Sequence, residues 1–452
     1  MSLTIVQKSN LSIQQPESKK ALVLAGGAIS GGAFKVGGLL ALNRFLRNFS
    51  VNDFDMYVGI SAGAFLAAPL STGVAPWELV QAIRGNEGRI SKFSYMDFYY
   101  PNWREFITRP AKLARNSAMV GPAIAIALGQ LVPRRHRQLR ELAQEFLKNP
   151  GLESASALTE PLFNEMARSP LFKPGGYLPS GVFDNSPIEA YVRRNLEKNG
   201  FPNDFRKLKL QTGKSLYIVA TNVNTAQRVV FGHDENQSAS ISEAVQASTA
   251  IPGFFKPARV GPEGMQQDFM DAAVRKTANI SSAVRHGAQL IICYNPFRPF
   301  MNYHYRPGSS GELSLADMGM GVVLNQAFRT MLHSRLRIGI EKLRLNDKFK
   351  GDCILIEPAE TDSRFFAMNP LAFWKRPEAA AHGYRSVKTS VVKNFETLKP
   401  ILAAHGITCD LEGMEDEFAA IRKAKSASAK LDVMQADKGK HAGGLRLVSG
   451  GR

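Results

Sequence analysis

Cysteine is scarce. The 452-residue chain has three, Cys293, Cys353 and Cys409, far apart and in no metal-ligand spacing. An odd, sparse set excludes a disulfide framework and fits a reducing compartment. Cys293 sits within the apolar run AQLIICYNP and reads as core. Long apolar runs are missing too. No stretch reaches the roughly 18 uninterrupted apolar residues of a membrane span. The opening MSLTIVQKSNLSIQQPESKK carries no apolar segment of secretory type. These absences make a cytoplasmic protein the expectation.

Several motifs are absent as well. No Gly-Lys-Ser/Thr follows a glycine-rich turn, which excludes a Walker phosphate loop. Residues 26–31 read Gly-x-Ala-x-x-Gly, not the dinucleotide fingerprint Gly-x-Gly-x-x-Gly. None of the eight histidines lies in a catalytic motif, and no ligand cluster is visible, so neither a metal nor another cofactor is expected. No nucleic-acid recognition motif accompanies the basic charge, so nucleic acid is not an expected partner.

That charge is what the chain has in excess: formally +18. Residues 104–140 hold eight Lys/Arg against one acid, and residues 422–452 hold eight against two. Clusters of this kind suit an anionic surface such as a membrane. Residues 118–132, nearly all small or aliphatic, lie beside arginines 134, 135, 137 and 140, a pattern for meeting lipid headgroups or, equally, for a buried cap helix with a solvated end.

The first 70 residues contain two strand–turn–helix units. ALVLAGGAISGGAFKVGGLLAL gives an apolar strand, a glycine-rich turn and a helix, and FDMYVGISAGAFLAA repeats the order. This predicts an α/β fold with a parallel sheet. SLYIVATNV and QRVVFG predict a hairpin, SISEAVQASTA a helix ending before Pro252, and AQLIICYNP a buried strand. Residues 313–345 predict a long helix, and 377–404 two helices broken at Pro400. The domain reading is a flexible tail over 1–19, a catalytic domain over 20–300 with a cap insertion at 91–180, a helical C-terminal extension over 301–423, and a basic disordered tail over 424–452. The aromatics Tyr95, Phe98, Tyr99, Tyr100 and Trp103 suit either an acyl pocket or plain core.

Chemistry is concentrated at three places. Ser61 stands between Gly59 and Gly63, after an apolar strand and before a helix, where a strained turn presents a nucleophile. On context alone, a nucleophile and an ordinary loop serine are both open. The turn at Gly26, Gly27 and Ala28 leads into a helix and can aim backbone N–H groups at an oxyanion, or be a structural turn only. The base, absent among the histidines, is sought in GMQQDFMDAAV. There Asp271 is preferred over Asp268, which follows two polar glutamines. A carboxylate with an ordinary pKa near 3.9 is a poor base for a hydroxyl, so the site must compensate by desolvation.

LAGGAISGGAFKVGGLLAL, YVGISAG and ISEAVQASTAIPGFFKPARVGPEGMQQDFMDAAV, in that order and with the LYIVATNVNTAQRVVFG hairpin, resemble the patatin-like phospholipase family over about residues 20–300. The resemblance implies a three-layer α/β/α sandwich around a mostly parallel sheet. It also implies a Ser–Asp dyad of Ser61 and Asp271, an oxyanion hole from the N–H groups of Gly26, Gly27 and Ala28, and metal-free hydrolysis of phospholipid or other acyl-lipid esters through an acyl-enzyme, with peripheral membrane contact. The chain departs from the family in having Ala28 for the third glycine, Ser30 for a basic residue, and Asp271-Ala272-Ala273 for Asp-Gly-Gly/Ala. Alanine at residue 28 costs on the order of 1 kcal/mol if its φ is positive. The alternative expectation is a catalytically weak membrane-binding or regulatory protein on the same fold.

Overall fold

A computed structural model describes residues 3–109, 136–145, 179–306 and 314–411, with the single positions Gly129, Pro133 and Pro161. The apolar segment 118–132 apart from Gly129, most of the 104–140 basic cluster and the 424–452 tail lie outside the described residues.

The described residues divide into two compact units. The larger, formed by the described residues within 1–100, 185–252 and 257–452, is built on one nine-stranded sheet. Its strands are β1 (Leu3–Gln7), β2 (Lys20–Leu24), β3 (Met56–Ile60), β4 (Ser215–Asn222), β5 (Arg228–Phe231), β6 (Ala258–Val260), β7 (Gln267–Asp271), β8 (Leu290–Tyr294) and β9 (Asp352–Ile356). They lie in the order β1-β9-β8-β2-β3-β4-β7-β6, with β5 paired to β4. The central run from β9 to β4 is parallel, and β1, β5, β6 and β7 are antiparallel to their neighbours.

Every residue of β2, β3, β4, β8 and β9 is buried. Such strands need cover on both faces. On one face Val23, Val58, Ile291 and Cys353 join a core with Leu332, Leu336 and Ile340 of a long helix, Met320–Arg344, and with Ile280 and Ala283 of a short one, Ile280–Arg285. The alternate residues face the helix α1 (Ala28–Phe45), whose Phe34 ring lies 6.0 Å from that of Tyr294. A further helix, Arg376–Lys393, covers α1 in turn, with His382 6.0 Å from Phe34. The result is the expected three-layer α/β/α sandwich.

The tail expected over 1–19 is corrected in part. Residues 3–7 form β1, and Leu3 and Val6 are buried. Thr4, Ile5 and Val6 are β-branched and favour a strand, but five residues without clean alternation form a short signal, and the partner edge on β9 lies some 350 residues away in the chain. Residues past 300 also do more than extend the domain with helices, since β9 is inside the sheet. The predicted break at Pro400 is displaced: helices span Arg376–Lys393 and Phe395–Ala404, the join falls at Asn394, and Pro400 sits within the second helix.

The smaller unit, 101–184 with 253–256, begins ten residues later than the expected cap and adds a piece of chain that reading did not include. It holds a short parallel pair, Gly181–Phe183 with Gly253–Phe255. A salt bridge joins Lys256 to Asp184 at 2.6 Å. Residues 91–100 belong to the larger unit, where Phe93 and Phe98 pack with Phe65, Tyr191 and Phe373. Of the five cluster aromatics, Tyr95, Tyr100 and Trp103 are exposed, so the cluster as a whole is not core.

Candidate active site

Ser61 and Asp271 meet because of how β4 changes partner. Over Ser215–Val219, one edge of β4 pairs with β3, ending at Ile60 opposite Val219. From Ala220 to Asn222 that edge pairs with β7, beginning at Asp271 opposite Ala220, while β5 holds the other edge over Ile218–Thr221, across the changeover. β7 therefore takes over where β3 stops. Asp271 lands beside the turn that carries Ser61, at the C-terminal end of the parallel strands where α/β sheets place their ligands.

Ser61 has φ 55° and ψ −127°, a backbone conformation that L-residues rarely adopt. It is one of three non-glycine residues with positive φ among those described. Strain of this kind, on the order of 1–3 kcal/mol, gathers at functional turns. The two flanking glycines are required by close approach. A Cβ on Gly59 would lie 2.4 Å from Ala64 Cα, and one on Gly63 would lie 2.1 Å from the Leu24 carbonyl oxygen. They let the helix α2 (Ala62–Ser71) start hard against β2 and β3, with its N-terminus at Ser61. Ser61 N–H donates to Ser248 Oγ at 2.8 Å, and Ser248 Oγ donates to the Val219 carbonyl at 2.6 Å. Ser248 thus ties the Ser61 turn to β4. The sequence reading gave it no role, although it lies in the ASTAIPG run.

Asp271 is buried, its carboxylate accepts a hydrogen bond at 2.8 Å from Ala273 N–H, and the Ser61 hydroxyl lies near enough to act on its charge. Burial is the dominant influence on this carboxyl, outweighing the Ser61 hydroxyl, the Ala273 N–H and the attraction of Lys35, and raises its pKa from 3.8 to about 6. A shift in this direction is what a lone Asp base would need. The rival Asp268 points outward in an exposed ion pair with Arg259 at 3.0 Å. Ala272 and Ala273 have ordinary negative φ, so alanine in place of glycine is unstrained there.

The third element lies at the start of α1. Gly26 is in contact distance of both other parts: a Cβ built on it would be 3.5 Å from Ser61 Cβ and 3.7 Å from Ala273 Cβ. The N–H groups of Gly26, Gly27 and Ala28 have no acceptor among the described residues. Ala28 has φ 50°. The conditional cost of alanine therefore applies, on the order of 1 kcal/mol, but the N–H remains. One residue here escaped the sequence reading altogether. Lys35 of α1 is fully buried, and its ammonium donates to the carbonyls of Ala25 at 2.5 Å and Gly26 at 2.9 Å.

The patatin-like phospholipase family description matches residues 22–284, more than half of the chain, and that span contains all seven residues expected at the site. No curated protein matches. Among solved structures the chain is similar to VipD from Legionella pneumophila at 16% identity, covering 96% of this chain and 86% of that one with a TM-score of 0.30. It is similar to ExoU of the Pseudomonas aeruginosa type III secretion system, solved with SpcU, at 16% identity over 97% and 74% with a TM-score of 0.26. Human GIVD cytosolic phospholipase A2, solved with methyl gamma-linolenyl fluorophosphonate, matches at 11% identity over 88% and 61% with a TM-score of 0.30. Likenesses this remote carry no argument about chemistry. The matched span, which holds the strained serine turn, the buried aspartate and the glycine-rich entry to α1, identifies the chain as a member of the patatin-like phospholipase family.

Proposed function

We propose that the protein is a lipid acyl hydrolase, an esterase of phospholipase A or lysophospholipase type, working through a Ser61–Asp271 dyad. Family membership supports lipid hydrolysis as the activity. The observation that carries the finer reading is the juxtaposition of a strained, buried serine with a buried carboxylate, beside three N–H groups that have no acceptor among the described residues.

In the proposed reaction, Ser61 Oγ attacks the ester carbonyl carbon as Asp271 takes its proton. The carbonyl oxygen gathers negative charge opposite the N–H groups of Gly26, Gly27 and Ala28. Collapse breaks the bond to the alcohol oxygen, which leaves with the proton held by Asp271. Water, deprotonated by Asp271, then attacks the acyl-enzyme and restores Ser61. Asp271 must begin ionised, so kcat/KM rises with pH through about 6. No helix among the described residues is long and apolar enough to cross a membrane, and the proposed route to lipid is peripheral.

The test is p-nitrophenyl butyrate hydrolysis by wild type, Ser61→Ala and Asp271→Asn, with folding checked by circular dichroism, followed by phospholipid vesicles. Loss in both folded variants supports the dyad. Undiminished hydrolysis by Ser61→Ala refutes it, and an inactive wild type on both substrates favours the membrane-binding or regulatory alternative.

A further inference from the structure

Among the described residues, Lys35 is the one cation that hydrogen-bonds to the glycine-rich turn. It lies on α1 with no solvent exposure, and its Nζ contacts two successive main-chain carbonyls, Ala25 at 2.5 Å and Gly26 at 2.9 Å. All peptide bonds of the described residues are trans. In a trans peptide the C=O and the following N–H are rigidly joined and point in opposite directions. The Ala25 carbonyl shares its plane with Gly26 N–H, and the Gly26 carbonyl shares its plane with Gly27 N–H. Holding both oxygens toward Lys35 therefore turns both N–H groups away from it. The third plane has its own anchor, since the Gly27 carbonyl accepts from Gly31 N–H at 2.9 Å in the first turn of α1, which fixes Ala28 N–H.

We propose that Lys35 is a positioning residue that sets and polarises the oxyanion hole by clamping the Ala25 and Gly26 carbonyls. The inference rests on the dyad reading given above. The ammonium acts in two ways. It orients two of three donors before substrate arrives, so no reorganisation is needed when charge develops. By drawing electron density toward the carbonyl oxygens, it also strengthens the N–H donors on the far side of the same peptides. A neutral side chain of similar length would fill the space and do neither.

The charge is held against strong desolvation. Burial lowers the Lys35 pKa from 10.5 to about 7, with attraction to Asp271 and Cys293, the two titratable groups that act on it, only partly offsetting this. Cys293 is itself pushed to high pKa by burial and stays a neutral thiol. Asp271 is thus the one anionic neighbour, and Lys35 loses its proton in the neutral range.

The experiment compares wild type with Lys35→Met, using p-nitrophenyl butyrate for kinetics, an alkyl trifluoromethyl ketone as a tetrahedral-adduct inhibitor and a non-hydrolysable ether analogue as a neutral ligand. The expected result is a fall in kcat of roughly 100-fold and a similar loss of ketone affinity, the size seen when an oxyanion donor is lost. KM and ether binding stay within about twofold, because uniform binding is untouched. Wild type also loses kcat above about pH 7, and Lys35→Met lacks that alkaline limb. A Lys35→Met enzyme within about threefold of wild type in kcat and ketone affinity overturns the proposal. If the variant does not fold, a wild-type kcat that stays flat from about pH 6.5 to 9.5 overturns it instead. Should Ser61→Ala and Asp271→Asn lose activity while Lys35→Met keeps it, only this inference fails. Should Ser61→Ala keep activity, the dyad reading fails with it.

Discussion

Replacing Asp271 by asparagine should abolish hydrolysis and stabilise the protein. The carboxyl pKa moves from 3.8 to about 6 on folding, with burial as the main cause. A carboxyl whose folded pKa is raised contributes stability that is fully present below the unfolded value and is lost as pH rises through the folded one. Above about pH 7, wild type therefore carries the full penalty of an ionised buried group. At 1.36 kcal/mol per unit the gap amounts to about 3 kcal/mol. Asparagine has the shape of the protonated acid. Its amide oxygen keeps the bond from Ala273 N–H, and its NH2 group can donate to Ser61 Oγ. An imperfect amide geometry takes back up to about 1 kcal/mol. A net gain of about 2 kcal/mol raises Tm by roughly 2–3 °C in a unit of this size, at about 2.1 cal/mol/K of unfolding entropy per residue. The assay is calorimetric or urea unfolding of both proteins at pH 7.5 and near pH 4. The gain should be present at pH 7.5 and shrink to a small remainder near pH 4, where wild-type Asp271 is protonated in the folded state and only partly ionised in the unfolded one. An Asp271→Asn protein no more stable than wild type at pH 7.5, or equally stabilised at both pH values, would refute the electrostatic reasoning.

Two further substitutions probe the supports of the fold and of the turn. Ser248→Ala leaves Ser61 N–H without its acceptor and the Val219 carbonyl without its donor. A buried unsatisfied group costs about 1–3 kcal/mol, and kcat in the butyrate assay should fall about tenfold with KM little changed as the turn loosens. Asp352, buried at the start of β9, accepts from Lys8 N–H, Ser9 N–H and Ser9 Oγ and pairs with His405 Nε2 at 2.9 Å. Asp352→Ala should lower stability by about 3 kcal/mol or more in urea unfolding, since it strands several buried polar partners at once. The hydrogen bonds from His405, Ser9 and Lys8 outweigh burial and hold this carboxyl below its ordinary value, so its contribution is present above about pH 4 and is lost as pH falls through its folded pKa.

What could be read in the chain beforehand follows from how local each signal was. The strands β2, β3, β4 and β8 are continuous apolar runs bounded by turns, so their own residues announce them. Ser61 was marked by glycines that the structure shows to be needed for backbone approach to Ala64 and Leu24. Asp271 was separable from Asp268 because burial alternates along β7, placing one inward and the other in a surface ion pair. The strand β1 was hidden for the opposite reason: its stability comes from hydrogen bonds to β9, and nothing within LTIVQ reports that edge. The break at Asn394 was misplaced to Pro400 because proline lacks only one helical donor there, and the apolar residues Leu398, Ile401 and Leu402 bury themselves whether or not that bond forms. Ala28 could be assigned a cost but not a φ, since a backbone angle is set by what the chain must reach. Lys35 is the deepest case. A single lysine in an apolar helix reads as a side chain that snorkels to water, its stem buried and its charge free. Here the ammonium stops short of solvent because two carbonyls at the mouth of the same helix receive it. Those carbonyls are exposed toward it only because the chain turns sharply between β2 and α1, a geometry that forms with the sheet. The turn and the lysine therefore require each other: without the cation the carbonyls lose their donor, and without the turn the cation has no place to be buried.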